Sequence, residues 1–144
     1  MIIVPMIYAE EWAWMEARAN PIRDEFSTGI CAYDQTGKIC AAFVADSFTV
    51  DGCGVHLAID NPMAIRRGFI HECLHFIFVT RGRKRCFGIV PSNNLKAIRF
   101  NEHIGFRIVA KLEDAYATGV DYIYMRMDAD NNRWVTPEQL QQAA

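Results

Sequence analysis

Several features that would assign the chain to a specialised class are missing from its 144 residues. It contains no run of about 18 apolar residues, so the sequence predicts no membrane-spanning helix. The first residues, MIIVPMIYAEEW, lack a basic segment and a small-residue cleavage site, so no signal peptide is expected. No internal repeat, low-complexity tract or linker interrupts the sequence. A chain of this length without such features is expected to form one domain.

Paired cysteine motifs are also missing. The sequence has five cysteines, an odd number, and none of them forms a C-x-x-C pair. They are spread along the chain at Cys31, Cys40, Cys53, Cys73 and Cys86. This distribution predicts reduced thiols rather than a disulfide or zinc framework. We therefore expect a cytoplasmic protein.

The two signs of charge are segregated along the sequence, although the formal net charge is only −2. Between Asn61 and Lys111, ten lysines and arginines are opposed by Glu72 and Glu102 alone, whereas the rest of the chain is strongly acidic. A basic segment inside an acidic protein predicts a local anionic partner, such as a phosphate-bearing cofactor. A solvated basic face is the alternative interpretation. Nucleic acid is not expected as a partner, because the protein as a whole is acidic and apolar runs interrupt the segment.

The apolar pattern predicts an alternation of strands and helices. Strands are predicted at 2–8, 29–33, 38–44, 54–59, 86–90, 106–112 and 121–127, helices at 9–19, 61–80 and 94–103, and a short terminal helix from Thr136. Asn61 and Pro62 are suited to the cap and first position of the second helix. This order predicts an α+β domain with a predominantly antiparallel sheet.

The most specific motif lies in segment 93–106, after a predicted strand and turn. Asn94, Ala97, Ile98 and the pair Gly105-Phe106 match the pattern Asn-x-x-Ala-Ile-x-x-Tyr-x-x-x-Gly-Phe. On these residues the chain resembles the GNAT superfamily of acyl-CoA-dependent N-acyltransferases. Local roles are the alternative reading of the same residues, since Asn94 can cap a helix and Gly105 permits a left-handed helix end.

The resemblance implies a single GNAT-like domain over 1–144, with a mixed, mostly antiparallel sheet and helices on both faces. The acceptor side would be about 1–50, the CoA-binding side about 51–111, and the C-terminal hairpin and tail 112–144. In the family, acyl-CoA lies where the fourth and fifth strands splay, and helix N-terminal amides bind the pyrophosphate. The implied acetyl-CoA-binding residues are Leu57, Ala58, Ile59, Arg66, Arg67, Gly68, Phe69, Asn94, Ala97 and Phe100. No metal is expected.

Two positions depart from the family's pattern. The phosphate-binding loop usually reads Gln/Arg-x-x-Gly-x-Gly/Ala, but here it contains one glycine, Gly68, and Ile70 stands where a small residue is expected. Asn101 occupies the position of the tyrosine that often protonates the departing thiolate, and an amide cannot act as that acid. Another group, such as a cysteine, a tyrosine or water, must then supply the proton, or the protein is slow or inactive. The loop and tail are similar to GNAT-like proteins of tailed bacteriophages.

His56 is the candidate general base, because it is the titratable side chain on the strand implied to line the site. Histidine titrates near neutral pH and can take the proton of an ammonium group. A structural or simply exposed histidine is the alternative. Tyr116, Tyr122 and Tyr124 fall in the C-terminal hairpin, where the family often builds part of its acceptor pocket, but strand packing is the favoured interpretation.

The segment His71-Glu72-Cys73-Leu74-His75 matches H-E-x-x-H, the signature of zinc proteases. Two histidines one helical turn apart can share a metal, but a zinc site needs a third ligand. Arg67 is expected on the same side of the helix and would repel a cation. A helix with a polar outer face is therefore favoured over a metal site.

Three hypotheses follow. The first is an acetyl-CoA-dependent N-acetyltransferase that acts on a primary amine of unknown identity by direct transfer. The second, favoured by Asn101 and Ile70, is a GNAT-fold protein that has lost catalysis and serves as a binding or structural component. The third is an HExxH zinc hydrolase. The partners expected are acyl-CoA and an amine, with no membrane, and a homodimer is compatible with the resemblance.

Overall fold

A seven-stranded sheet runs through the computed structural model, which describes residues 1–142. The strands are β1 Ile2–Pro5, β2 Thr28–Tyr33, β3 Ile39–Asp46, β4 Gly52–Ile59, β5 Arg85–Pro91, β6 Arg107–Ala117 and β7 Val120–Asp128. The helices are α1 Ala9–Glu16, α2 Met63–Arg66, α3 Phe69–His75, α4 Leu95–Ile104 and α5 Pro137–Gln141, and a π-helical turn covers Phe76–Thr80. No helix within 1–142 has the length and apolar character needed to cross a bilayer.

The strand order is β1-β2-β3-β4-β5-β7-β6, and the pair β4–β5 is the parallel one. All other neighbours are antiparallel, as the sequence predicts. The β2–β3 hairpin closes through Asp34, whose Oδ1 accepts hydrogen bonds from the backbone amides of Thr36 and Lys38 at 2.8 and 3.1 Å. Such a side-chain bond to the backbone two residues on is the reason aspartate favours turns.

Helices cover both faces of the sheet. On one face, Trp12 and Met15 of α1 pack against Cys31, Ala42 and Val44. On the other face, a larger core joins α3, the π-helical turn and α4 to the remaining strands. Its fully buried members include Phe69, Leu74, Ile77, Phe78, Met125 and Met127. The two sets of residues alternate along β2 and β3, as expected for a sheet that is buried on both sides.

The region predicted as one helix over 61–80 is divided, so this expectation is wrong. Asn61 does cap the first turn, since its Oδ1 accepts the amide of Met63 at 3.0 Å. Gly68 then has φ of +89°, a left-handed conformation that ends α2 and redirects the chain into α3. After His75 the hydrogen bonds change from four to five residues apart, and the Arg81 amide bonds the carbonyl of Phe76 at 2.8 Å. That change produces the π-helical turn.

The motif helix α4 has the ends that its sequence predicts. Asn94 Oδ1 accepts the amide of Ala97 at 3.2 Å and so caps the first turn. Gly105 has φ of +115°, and its amide bonds the carbonyl of Asn101 at 3.1 Å. Ile98 and Ile104 are buried in the core. The local roles predicted for Asn94 and Gly105 are therefore confirmed.

The first strand is shorter than predicted, because a buried carboxylate turns the chain at its end. β1 stops at Pro5, and Glu11 Oε1 accepts the amides of Ile7 and Tyr8 at 2.8 and 2.7 Å. These two bonds bend residues 7–8 away from the sheet and start α1 at Ala9. Helix α1 ends at Glu16, before the predicted limit of 19.

Candidate active site

The two parallel strands in the centre of the sheet pair at one end and diverge at the other. Gly52, Cys53 and Gly54 of β4 pair with residues 85–87 of β5, and the pairing stops there. Both strands continue, β4 to Ile59 and β5 to Pro91. Their divergence opens a cleft of about 810 Å³. A gap of this kind exposes strand backbone inside a sheet, where an extended ligand can enter.

Backbone groups of β4 face this gap. Asp60 donates its amide to the carbonyl of Cys40 at 2.9 Å, and Ala58 lies opposite Ala42 in the antiparallel register. Because hydrogen-bonding direction alternates along a strand, Ala58 directs its amide and carbonyl toward β3. Leu57 and Ile59 therefore direct theirs away from β3, toward the space left by β5. An amide-bearing chain in the gap could bond to these two residues.

The cleft passes from one face of the sheet to the other. On the face covered by α1 it is lined by the segment after that helix, including Asn20 and Ile22, and by Asp46 and His56. On the opposite face it is lined by α3 and α4 residues, including Leu74, Ala97 and Asn101. Two partners can thus approach the gap between β4 and β5 from different sides.

His56 and Asp46 form a close pair on the α1 side of the cleft. His56 Nε2 lies 2.7 Å from Asp46 Oδ2, and the same oxygen accepts the amide of Ile22 at 2.6 Å. The Asp46 side chain is 3% exposed and the His56 side chain 28%. Burial alone would raise the pKa of Asp46, but the hydrogen bonds from His56 and Ile22 hold it below its ordinary value. Asp46 is therefore a carboxylate at neutral pH.

Gly54 makes room for this pair. It lies directly opposite Asp46 in the register of β3 and β4. A Cβ atom at Gly54 would lie 2.8 Å from Asp46 Oδ1, closer than side chains pack. The glycine thus lets the carboxylate lie against β4 beside His56.

Asn101, at the family's tyrosine position, projects over β5. Its Nδ2 would lie 3.5 Å from a Cβ atom at Gly88, and it contacts Met125 Sδ at 3.7 Å. The residue lines the cleft. Its amide offers hydrogen bonds but no acidic proton.

Other proton-bearing side chains line the same cleft. Tyr116, Tyr122 and Tyr124, expected mainly to pack between strands, all contribute to its wall. The rings of Tyr116 and Tyr122 meet edge to face with centroids 5.6 Å apart. Cys53 also lines the cleft, but burial raises the pKa of its thiol to about 12. Burial thus makes this thiol a weaker proton donor than an exposed cysteine.

The predicted acetyl-CoA-binding residues fall into three groups. Leu57, Asn94 and Ala97 line the cleft, as does the predicted base His56. Arg66 and Arg67 are exposed beside Gly68 at the junction of α2 and α3. The remaining four, Ala58, Ile59, Phe69 and Phe100, pack against core residues. The side chain of Ala58 lies on the α1 face and its backbone faces β3, which places it away from the gap.

Ile70, the second departure in the loop, is buried. Its side chain is 2% exposed and belongs to the core cluster on the α3 side. At Gly68, a Cβ atom would meet nothing within 4 Å. The α2–α3 junction is therefore open at its glycine, and the buried Ile70 side chain contributes to the wall of the cleft.

The H-E-x-x-H residues lie on the outer surface of α3. His71 and Glu72 are exposed, and the rings of His71 and His75 are 6.5 Å apart. Within residues 1–142, no three His, Cys, Asp or Glu side chains are grouped so as to hold a metal ion. The structure thus supplies no third ligand for this motif within that range.

Sequence reasoning missed Asp46. The signal was weak: an acidic residue follows the apolar run Cys40–Ala45 and ends strand β3. Its partnership with His56 depends on how β3 pairs with β4, which the sequence does not state.

Comparison of the sequence with protein-family models gives no match. No curated protein matches it either. Solved structures do match. The spermidine/spermine N-acetyltransferase SpeG of Vibrio cholerae superposes with a TM-score of 0.70 over 88% of this chain and 92% of its own, at 12% identity. A chimera of the Vibrio cholerae spermidine N-acetyltransferase SpeG and hSSAT gives a TM-score of 0.63 at 16% identity, over 73% of this chain and 68% of its own.

The chain has the GNAT-like fold. The predicted fold class, a mixed and mostly antiparallel sheet with helices on both faces, is therefore confirmed. At 16% and 12% identity, the structural similarity shows the fold alone.

Proposed function

We propose that this protein is an acetyl-CoA-dependent N-acetyltransferase that transfers an acetyl group directly to a primary amine. The observation that carries the proposal is the gap between β4 and β5, with the His56–Asp46 pair beside it. The GNAT-like fold supports it, because the similar structures are named as N-acetyltransferases of the amines spermidine and spermine.

The gap suits the extended arm of acetyl-CoA. The backbone amides and carbonyls of Leu57 and Ile59 face it and would bond the amides of the pantetheine. The pyrophosphate would lie at the α2–α3 junction, where Gly68 leaves open space and Arg66 and Arg67 supply positive charge. Asn94 and Ala97 line the same cleft at the start of α4.

The amine would approach from the α1 side. After His56 takes the ammonium proton, the nitrogen lone pair attacks the thioester carbonyl carbon. A C–N bond forms and the C–S bond breaks, and CoA leaves as a thiolate, which takes one proton to become the thiol. The nitrogen loses its second proton as it becomes an amide, and this proton replaces the one given to the thiolate. The overall change therefore releases one proton, which His56 passes to solvent. Most of the rate enhancement would come from holding the two reactants together in the cleft.

The proton for the leaving thiolate would come from a phenol or from water. Asn101 cannot provide it, but it can donate an amide hydrogen bond near the reacting centre. Tyr116, Tyr122 and Tyr124 line the cleft and carry the hydroxyl groups that Asn101 lacks. We assign the acid role to this group of three tyrosines as part of the proposal.

Binding of acetyl-CoA tests the proposal first. At a ligand concentration about 100 times Kd, a site that exists in the folded state alone stabilises the protein by about 2.7 kcal/mol. For a domain of this size that corresponds to a Tm increase of about 5–10 °C. The double variant Arg66→Ala and Arg67→Ala should need more acetyl-CoA for the same shift. Absence of any shift with acetyl-CoA or free CoA would refute the proposal.

A catalytically inactive acyl-CoA-binding protein is the second candidate, and Asn101 is the observation that favours it. Both candidates predict the thermal shift. They differ in turnover, measured as free CoA thiol released from acetyl-CoA in the presence of a panel of primary amines. Thiol release that depends on the amine supports the enzyme, whereas binding without release across the panel supports the inactive protein.

A further inference from the structure

We propose that Asp46 is a positioning residue that holds His56 so that ring nitrogen Nδ1 accepts the ammonium proton of the amine. The inference deepens the proposed acetyl transfer and rests on it. Nothing in the family motif points to Asp46, which lies on β3, outside the strands and helices that bear that motif.

The contact between Asp46 and His56 is short and buried, and the same carboxylate oxygen also accepts the amide of Ile22. Asp46 Oδ2 is 2.7 Å from His56 Nε2 and 2.6 Å from the Ile22 amide nitrogen. The Asp46 side chain is 3% exposed, so water does not compete for the carboxylate. His56 is more exposed and lines the cleft. One end of the pair is therefore fixed in the protein, and the other is open to a reactant.

The charge of Asp46 determines which ring nitrogen carries the proton. A carboxylate accepts hydrogen bonds and cannot donate one, so His56 Nε2 must carry the hydrogen in the neutral ring. The lone pair is then on Nδ1. The bond to Asp46 thus selects the tautomer in which Nδ1 is the base, and it stabilises the ring after protonation.

The strand register makes the pair rigid. Val44 lies directly opposite His56, and Asp46 lies opposite Gly54, so the carboxylate reaches His56 diagonally across the two strands. Gly54 has no Cβ to block this path. The backbone amide of Ile22 donates to Asp46 Oδ2, the oxygen that contacts His56, and so holds the segment after α1 against the pair. Asp46 therefore joins the histidine to the cleft wall by which the amine would approach.

Kinetics with three variants test the role. His56→Gln should lower kcat by about 100-fold or more, the usual contribution of a general base. Asp46→Asn should lower kcat at least about tenfold and leave KM for acetyl-CoA within about twofold, because the carboxylate acts on the histidine and not on the cofactor. The double variant should be no slower than His56→Gln, since a residue that acts through His56 has no effect without it.

A matched control separates charge from position. Asp51→Asn removes a carboxylate that contacts Lys84 and Arg85 outside the cleft, at 3.7 and 3.9 Å. It should leave kcat unchanged. An Asp46→Asn variant with the wild-type kcat would overturn the proposal. So would a double variant whose loss equals the product of the two single losses.

The tautomer can be measured without turnover. Two-bond ¹H–¹⁵N correlation spectra of the neutral ring should show the proton of His56 on Nε2, with exposed His103 as the internal reference. Asp46→Asn should reduce this preference. A proton on Nδ1 in the wild-type protein would overturn the inference. The Tm increase with acetyl-CoA should persist in Asp46→Asn, which shows that the variant is folded.

These results distinguish the two proposals. Amine-dependent turnover that is unaffected by Asp46→Asn removes the positioning role and leaves the acetyltransferase intact. A wild-type protein that neither binds acetyl-CoA nor acetylates amines removes both.

Discussion

Glu11 offers the sharpest test of how the first fifty residues are held together. Its side chain is 1% exposed, and each of its carboxylate oxygens accepts two hydrogen bonds. Oε1 receives the amides of Ile7 and Tyr8, and Oε2 receives Cys31 Sγ at 3.0 Å and Tyr33 Oη at 2.8 Å. The group therefore joins the start of α1 to strand β2.

The substitution Glu11→Gln keeps the shape of the side chain and removes half of its acceptors. The remaining oxygen can still receive the amides of Ile7 and Tyr8, but the new NH₂ group faces the donors of Cys31 and Tyr33. Each buried donor without a partner costs about 1–3 kcal/mol. We expect a loss of about 2–5 kcal/mol in the free energy of unfolding, or about 5–15 °C in Tm.

The loss should depend on pH. Burial alone would raise the pKa of Glu11, but the four hydrogen bonds hold it below its ordinary value. A carboxyl group whose pKa is lower in the folded state than in the unfolded state stabilises the fold at pH values above its unfolded pKa, about 4.3. This contribution is lost as pH falls through the folded pKa. The difference in free energy of unfolding between wild type and Glu11→Gln should therefore be largest at pH 7 and decrease below about pH 4.

Urea unfolding at a series of pH values, followed by circular dichroism, measures both effects. The neighbouring exposed residue gives the matched control, and Glu10→Gln should change the free energy of unfolding by less than about 0.5 kcal/mol. A Glu11→Gln protein within the same limit of wild type would show that the buried network does not stabilise the fold. A difference in free energy of unfolding that stays constant down to pH 3 would refute the reasoning about the carboxylate charge.

Two glycines give further predictions. Gly54→Ala places a Cβ 2.8 Å from Asp46 Oδ1, so it should displace the carboxylate and lower amine-dependent kcat, while the Tm increase with acetyl-CoA remains. A wild-type kcat in that variant would show that the carboxylate tolerates displacement. Gly105→Ala forces a side chain to φ of +115° and to 3.3 Å from Met127 Cε, and thermal unfolding should show a loss of about 1–3 kcal/mol. Gly37→Ala, with φ of +83° but open space around it, should lose less, and equal losses would mean that the Met127 contact contributes nothing.

The parts of the fold that the sequence predicts are those with local causes. Helix α4 begins at a capping asparagine and ends at a left-handed glycine, and both signals lie within the helix's own segment. The β2–β3 turn follows in the same way from Asp34 and its neighbours. The motif could therefore indicate both the fold and the position of the cleft.

The features that the sequence did not predict depend on the sign of a backbone φ angle or on contacts between residues far apart in the sequence. Segment 61–80 has helical periodicity throughout, and periodicity does not reveal that Gly68 takes a positive φ or that the turn after His75 changes to five-residue bonds. The Asp46–His56 pair spans ten residues and two strands, and a shift of register by one residue would separate it. His56 could be proposed from its strand alone, but its partner could not.

Among the described strands, three residue pairs join β4 to β5, and this short pairing connects strands β1–β4 to strands β5–β7. Beyond Gly54 the continuity of the sheet is interrupted, and the core residues of α3 and α4 bridge the two halves instead. An extended ligand that bonds Leu57 and Ile59 would serve as a temporary strand and complete the sheet. Binding of such a ligand in the cleft would then make the whole sheet more rigid, and its release would make the sheet less rigid.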